Sequence, residues 1–85
     1  MRGKVLEEAI RVINGERQDT YGAPEDSFTL IAEFWTSYIK RINRDLVAKD
    51  IALLMVLFKL AREIHQGKMD NIIDGAGYLG IAGDL

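Results

Sequence analysis

The chain has 85 residues, 48% of them hydrophobic, which places it near the lower size limit for one self-sufficient core and argues against disorder. It has no cysteine, so disulfides and thiolate metal sites are excluded. The net charge of −2 comes from 11 basic and 13 acidic residues interspersed in sign, and so carries no electrostatic footprint for nucleic acid. So small and apolar a chain cannot cover all its helix faces internally, and self-association is expected. The longest apolar run, residues 51–58, is far too short to span a bilayer, and Glu7, Glu8 and Arg11 interrupt any secretory signal. No membrane association is expected, and the protein reads as soluble and intracellular.

The first predicted helix covers about residues 4–14. Val5, Leu6, Ala9, Ile10 and Ile13 recur at helical spacing and form one apolar stripe. Asn14-Gly15 is a stop or kink signal, because glycine tolerates the left-handed backbone that ends helices, and the alternative is a helix that resumes through residues 16–20. The connector that follows, ERQDTYGAP, contains Arg17 and Tyr21 at a spacing of four. Either Tyr21 packs on the fold and Arg17 pairs with an acid, or the two form the wall of a ligand site.

The second helix is predicted over about 24–42, with Pro24 in its first turn and Glu25 and Asp26 offsetting the helix dipole. Phe28, Ile31, Trp35, Tyr38, Ile39 and Ile42 follow at intervals of three and four, the pattern of a core stripe, while Glu33 faces solvent. Lys40, Arg41 and Arg44 read as a solvated helix end. Asn43 and Asp45 are candidate N-caps for the third helix, about 46–66. Residues 51–58 of that helix are apolar on every side, which predicts a central position enclosed by neighbours. Lys59 and Arg62 come next, three apart and on one face with Met55. His65, the single histidine, has no partners for a triad or a metal cluster and reads as structural.

A short turn at Gly67 makes the fourth helix, about 68–82, the antiparallel neighbour of the third. Asp70 and Asp74 share a face, as do Asn71, Asp74 and Tyr78; Ile72, Ile73, Ala76, Leu79 and Ile81 supply an opposing apolar surface. Gly75, Gly77, Gly80 and Gly83 each cost roughly 1 kcal/mol relative to alanine in a helix, so close helix contact is expected around them. The fold class is all-α: a compact antiparallel four-helix bundle in a single domain.

With the third and fourth helices side by side, Asp50, Lys59, Arg62, Glu63, Asp70, Asn71 and Asp74 become candidates for one polar cleft. Carboxylates on facing helices suit a hard cation such as Mg2+, and Lys59 and Arg62 suit a phosphorylated ligand. The competing reading is a set of structural ion pairs. No serine–histidine pair, phosphate loop or zinc set occurs, and GAGYLG follows no strand, so it is not a dinucleotide fingerprint.

ERQDTYGAPEDSF, IAEFW, DIALLMVLFKLAR and DNIIDGAGYLGIA, in that order, resemble a family of small bacteriophage and prophage proteins of largely uncharacterised function. That family is similar to the MazG-like all-α nucleotide pyrophosphohydrolases. The resemblance implies a homodimer or homotetramer in the cytoplasm of a bacterial host, which takes a nucleoside triphosphate with Mg2+ and hydrolyses it to monophosphate and pyrophosphate. It implies Asp70 and Asp74 as catalytic and metal-holding acids, with Asp50 or Glu63 as further ligands. Lys59 and Arg62 would hold phosphates, and Tyr78 or Tyr21 the base or sugar. Those enzymes carry Glu-Glu-x-x-Glu and a later Glu-x-x-Asp. Here Asn71-Ile-Ile-Asp74 stands at the second motif with Asn71 in place of glutamate, and Glu7-Glu8 is followed by Arg11 rather than a third acid. The alternative is a non-catalytic nucleotide-binding or protein-interaction module on the same fold.

Overall fold

Among the described residues, amphipathic spacing becomes four helices: α1 (Arg2–Asn14), α2 (Pro24–Ile42), α3 (Ala48–His65) and α4 (Met69–Asp84). The computed structural model describes residues 2–14 and 24–85, and the side chains of 3–11 and 26–85. Arg17 and Tyr21 lie outside the described residues, as does everything proposed for the connector. Among the described residues there is no strand, and no helix is long and apolar enough to cross a membrane.

The predicted helix boundaries hold to within two residues, and α3 is central, packed on α4 and on α2. Both contacts are antiparallel. Tyr38, late in α2, meets Asp50, early in α3, while the earlier Trp35 meets the later Leu54. Across the second contact, Lys59 meets Asp74 and Glu63 meets Asn71.

The predicted compact packing is not what these helices build. The radius of gyration is 15.0 Å, against about 12 Å for a compact chain of this length. Every described side chain of α1 is exposed, including the stripe residues Val5, Leu6 and Ile10. Among the described residues the fully buried hydrophobics are Ile31, Ala52, Leu54, Ala61 and Ala82, and three of those five are alanines.

The face of α2 also differs from the expected stripe. Phe28 and Ile39 are exposed, whereas Ser27 and Ile31 are buried and Leu30, Phe34, Trp35 and Tyr38 half-buried. The reason is polar: the Trp35 indole donates to the Leu54 carbonyl at 2.8 Å and the Tyr38 hydroxyl donates to Asp50 at 2.6 Å. Those two bonds set the rotation of α2, and Phe28 is carried outward. In α3, Ile51 and Leu60 are exposed, so the helix is central without being enclosed.

Asp50 closes the turn between α2 and α3. Its carboxylate is 2% exposed and accepts from Tyr38, from both terminal nitrogens of Arg44 at 2.7 and 3.0 Å, and from the Val47 backbone N–H at 2.8 Å. The last bond satisfies one of the orphan donors at the start of α3. Neither Asn43 nor Asp45 caps this helix. Asn43 instead takes the left-handed conformation, φ 47°, just beyond α2, where a short polar side chain is tolerated. Arg44, expected to be a solvated terminal cation, is the fork that holds Asp50.

The hydrogen bonds from Arg44, then those from Tyr38 and Val47, hold the Asp50 carboxyl well below the usual carboxylate range. The hydrogen bond to Asp50 raises the Tyr38 phenol above its ordinary value. A depressed acid stabilises the fold above its unfolded pKa of about 3.9; the contribution is lost as pH falls below that value. A raised phenol stabilises below about 10 and the contribution is lost above it. Stability should therefore plateau between these limits, and Asp50→Asn should flatten the acid limb in urea denaturation followed by circular dichroism. Trp35→Phe, which removes one buried donor, should cost about 1 kcal/mol in the same measurement.

Candidate functional site at the third and fourth helices

The seam between α3 and α4 is polar, and α4 is turned accordingly. Asn71 and Ala82 are buried, and Asp74, Gly75 and Tyr78 are half-buried, a set spaced by three and four along one helical face. The expected apolar surface, by contrast, points out: Ile72, Ile73, Ala76, Leu79 and Ile81 are all exposed. The polar face read from the sequence is thus real, but it packs against α3.

Three groups hold the seam. Lys59 pairs with Asp74 at 2.9 Å, with the lysine side chain 12% exposed and the aspartate 40%. Glu63 accepts from the Lys68 backbone N–H at 3.0 Å and from the Asn71 amide at 3.3 Å, while that amide also donates to the Gln66 carbonyl at 3.3 Å. Glu63 therefore caps α4 from the preceding helix. The connection passes close beneath it: a Cβ on Gly67 would lie 3.0 Å from Glu63 Oε2. Asn71 is 2% exposed, and its Oδ1 is buried without a donor. Of the other glycines, Gly75 approaches Lys59 at ordinary contact distance, and Gly77, Gly80 and Gly83 approach nothing within 4 Å. Among the described residues, the close packing expected at those last three positions is not found.

Two flanks run along this seam. On one, Phe58 lies beneath both Lys59 Nζ, 5.5 Å from the ring centre, and Arg62 Cζ, 4.9 Å away. At about 100° per residue, Arg62 falls on this side of α3, and Asp70, Asp74 and Tyr78 fall on the same side of α4. The other flank is a groove of about 330 Å³ with apolar walls from Val56, Leu60, Ile72, Ala76 and Leu79. Lys59, Glu63 and Asn71 also line this groove, at its border with the charged flank.

The sequence-predicted site is brought together only in part. Lys59, Arg62, Asp70, Asp74 and Tyr78 share the charged flank, with Asn71 and Glu63 adjacent. Asp50 is excluded: it precedes Glu63 by 13 residues on α3, about 20 Å of helix, and its oxygens are committed to the turn. Among the described residues no group of three or more histidine, aspartate or glutamate side chains converges. The acids Asp50, Glu63, Asp70 and Asp74 therefore do not fit a Mg2+ site as a set within one chain. Sequence reading missed Tyr38 and Arg44 as the partners of Asp50. The available signal was an acid at the third position of a helix with no capping side chain before it.

This geometry defines a class: small all-α proteins with a polar interhelix seam and apolar faces turned out. The chain belongs to the family described as Domain of unknown function (DUF6378), whose model matches residues 4–85. It is 41% identical over 81 residues to the Gene 55 protein of Mycobacterium phage D29, covering 94% of this chain and 52% of that protein. To the Gene 55 protein of Mycobacterium phage L5 it is 33% identical over 78 residues, 91% of this chain and 49% of that protein. The chain thus spans about half the length of these curated relatives. No solved structure matches it.

Glu63 and Asn71 make a direct test of the seam. Asn71→Asp sets a second carboxylate against Glu63 in a buried position, and should destabilise the fold by about 3 kcal/mol at pH 7. Part of the loss should return near pH 5, where the pair can share a proton. Urea titrations at the two pH values check this.

Proposed function

We propose that the chain binds the phosphate chain of a nucleoside triphosphate on the charged flank of α3 and α4, in the cytoplasm of a phage-infected or lysogenic bacterium. The observation that carries this reading is the Lys59–Asp74 pair, with Arg62 one turn along α3 and over the same aromatic ring. Asp74 occupies the position an anionic oxygen would take beside Lys59, and at 40% exposure it is open to exchange. A phosphate that displaces it meets a lysine point charge, with the Arg62 guanidinium fork nearby. Tyr78, on the same flank, would contact the sugar or base.

The order of the sequence motifs, with their likeness to MazG-like enzymes, supports a nucleotide as the phosphate bearer. Within one chain the reading is binding rather than turnover, because Asp50 and Glu63 already serve as structural acceptors. Hydrolysis to monophosphate and pyrophosphate would need carboxylates other than Asp50 and Glu63.

The test incubates the purified protein with canonical and modified nucleoside triphosphates, with and without Mg2+. Binding is followed by calorimetry, and monophosphate and pyrophosphate by chromatography. Binding without product is expected, weakened at least about tenfold in Lys59→Ala, in keeping with loss of a charged hydrogen bond. Metal-dependent product lost in Asp74→Asn would establish the pyrophosphohydrolase. No binding to any nucleotide would overturn the proposal.

A further inference from the structure

Each chain carries two uncovered apolar surfaces of opposite shape. One is convex, the α1 stripe of Val5, Leu6 and Ile10, which are 67%, 58% and 58% exposed. The other is concave, the groove between α3 and α4 on the flank away from Asp74. Ridges pack into grooves, whereas two grooves facing each other leave a void. We infer that α1 of a second copy seats in this groove, reciprocally, to give a two-fold symmetric dimer.

Area supports a second copy as the occupant. The chain exposes 6295 Å², whereas a compact monomer of 9.6 kDa exposes about 5,100 Å². The excess, about 1,200 Å², exceeds the roughly 800 Å² per partner that a standard stable interface buries. Sixteen large hydrophobic residues are exposed among those described, and α1 and the groove walls account for six of them. The dimensions agree as well. Val5 to Ile10 rises about 7.5 Å along α1, and the groove, from Asn71 to Leu79, runs about 12 Å. Because the exchange is reciprocal it is closed, and both stripes are covered without leading to a filament. The inference does not rest on the nucleotide reading, although Lys59 both lines this groove and pairs with Asp74 on the charged flank.

The absence of native cysteine allows a specific test. Leu6→Cys and Ala76→Cys are made separately, both at exposed positions, and the wild-type mass is measured by light scattering after size exclusion. The expected mass is twice 9.6 kDa. Mixed Leu6→Cys and Ala76→Cys chains should form a disulfide on the order of tenfold faster than either variant alone, because pairing raises the local thiol concentration. A monomer at about 100 µM overturns the inference. So does preferential self-crosslinking of Ala76→Cys, which would mean groove against groove. A double variant that closes its disulfide without change of mass would place α1 on its own chain, and equally overturns it.

Discussion

Polar groups on two adjacent helices have to find partners, and in this chain they find one another. Lys59 with Asp74, and Glu63 with Asn71 and the start of α4, hold the α3–α4 seam. A helix has one rotation, so turning Asn71, Asp74 and Tyr78 inward turns Ile72, Ile73, Leu79 and Ile81 outward. An unpaired buried charge or amide costs more than an exposed isoleucine. The seam therefore settles where the apolar surface goes, and with it the character of the molecule.

A second polar hub, Asp50, does the same for α2. Its carboxylate gathers a tyrosine from α2, an arginine from the turn and the first backbone donor of α3. With the Trp35 bond to Leu54 it sets the rotation of α2 and leaves Phe28 outside. Both contacts of α3 are thus specified by hydrogen bonds and ion pairs. The small hydrophobic residues beneath them fill space but give little directional information.

The two flanks of the seam divide the chemistry. On the charged flank Lys59 pairs with Asp74 and stands with Arg62 over the Phe58 ring, the geometry on which the nucleotide proposal rests. The groove flank offers apolar walls from Val56, Leu60, Ile72, Ala76 and Leu79, with Lys59, Glu63 and Asn71 among its lining. Lys59 lies where the two flanks meet, so the proposed ligand site and the proposed contact between chains share that residue.

By itself the sequence determined the four helices and their ends, the antiparallel order of α2, α3 and α4, the central place of α3, and the polar face of α4. Those follow from periodicity, turn residues and short connections, which act over a few residues. Only the tertiary structure decided which way each face points. Phe28 reads as core and Arg44 as solvated terminus, because periodicity reports that a face exists and is silent about its neighbour. Asp50 reads as a ligand for the same reason. Its partners Tyr38 and Arg44 stand 12 and 6 residues away, and their convergence depends on a turn whose course no local pattern encodes. The division of Lys59, Glu63, Asn71 and Asp74 into pairs was equally undetermined, because it depends on the register of α3 against α4, a property of two helices together.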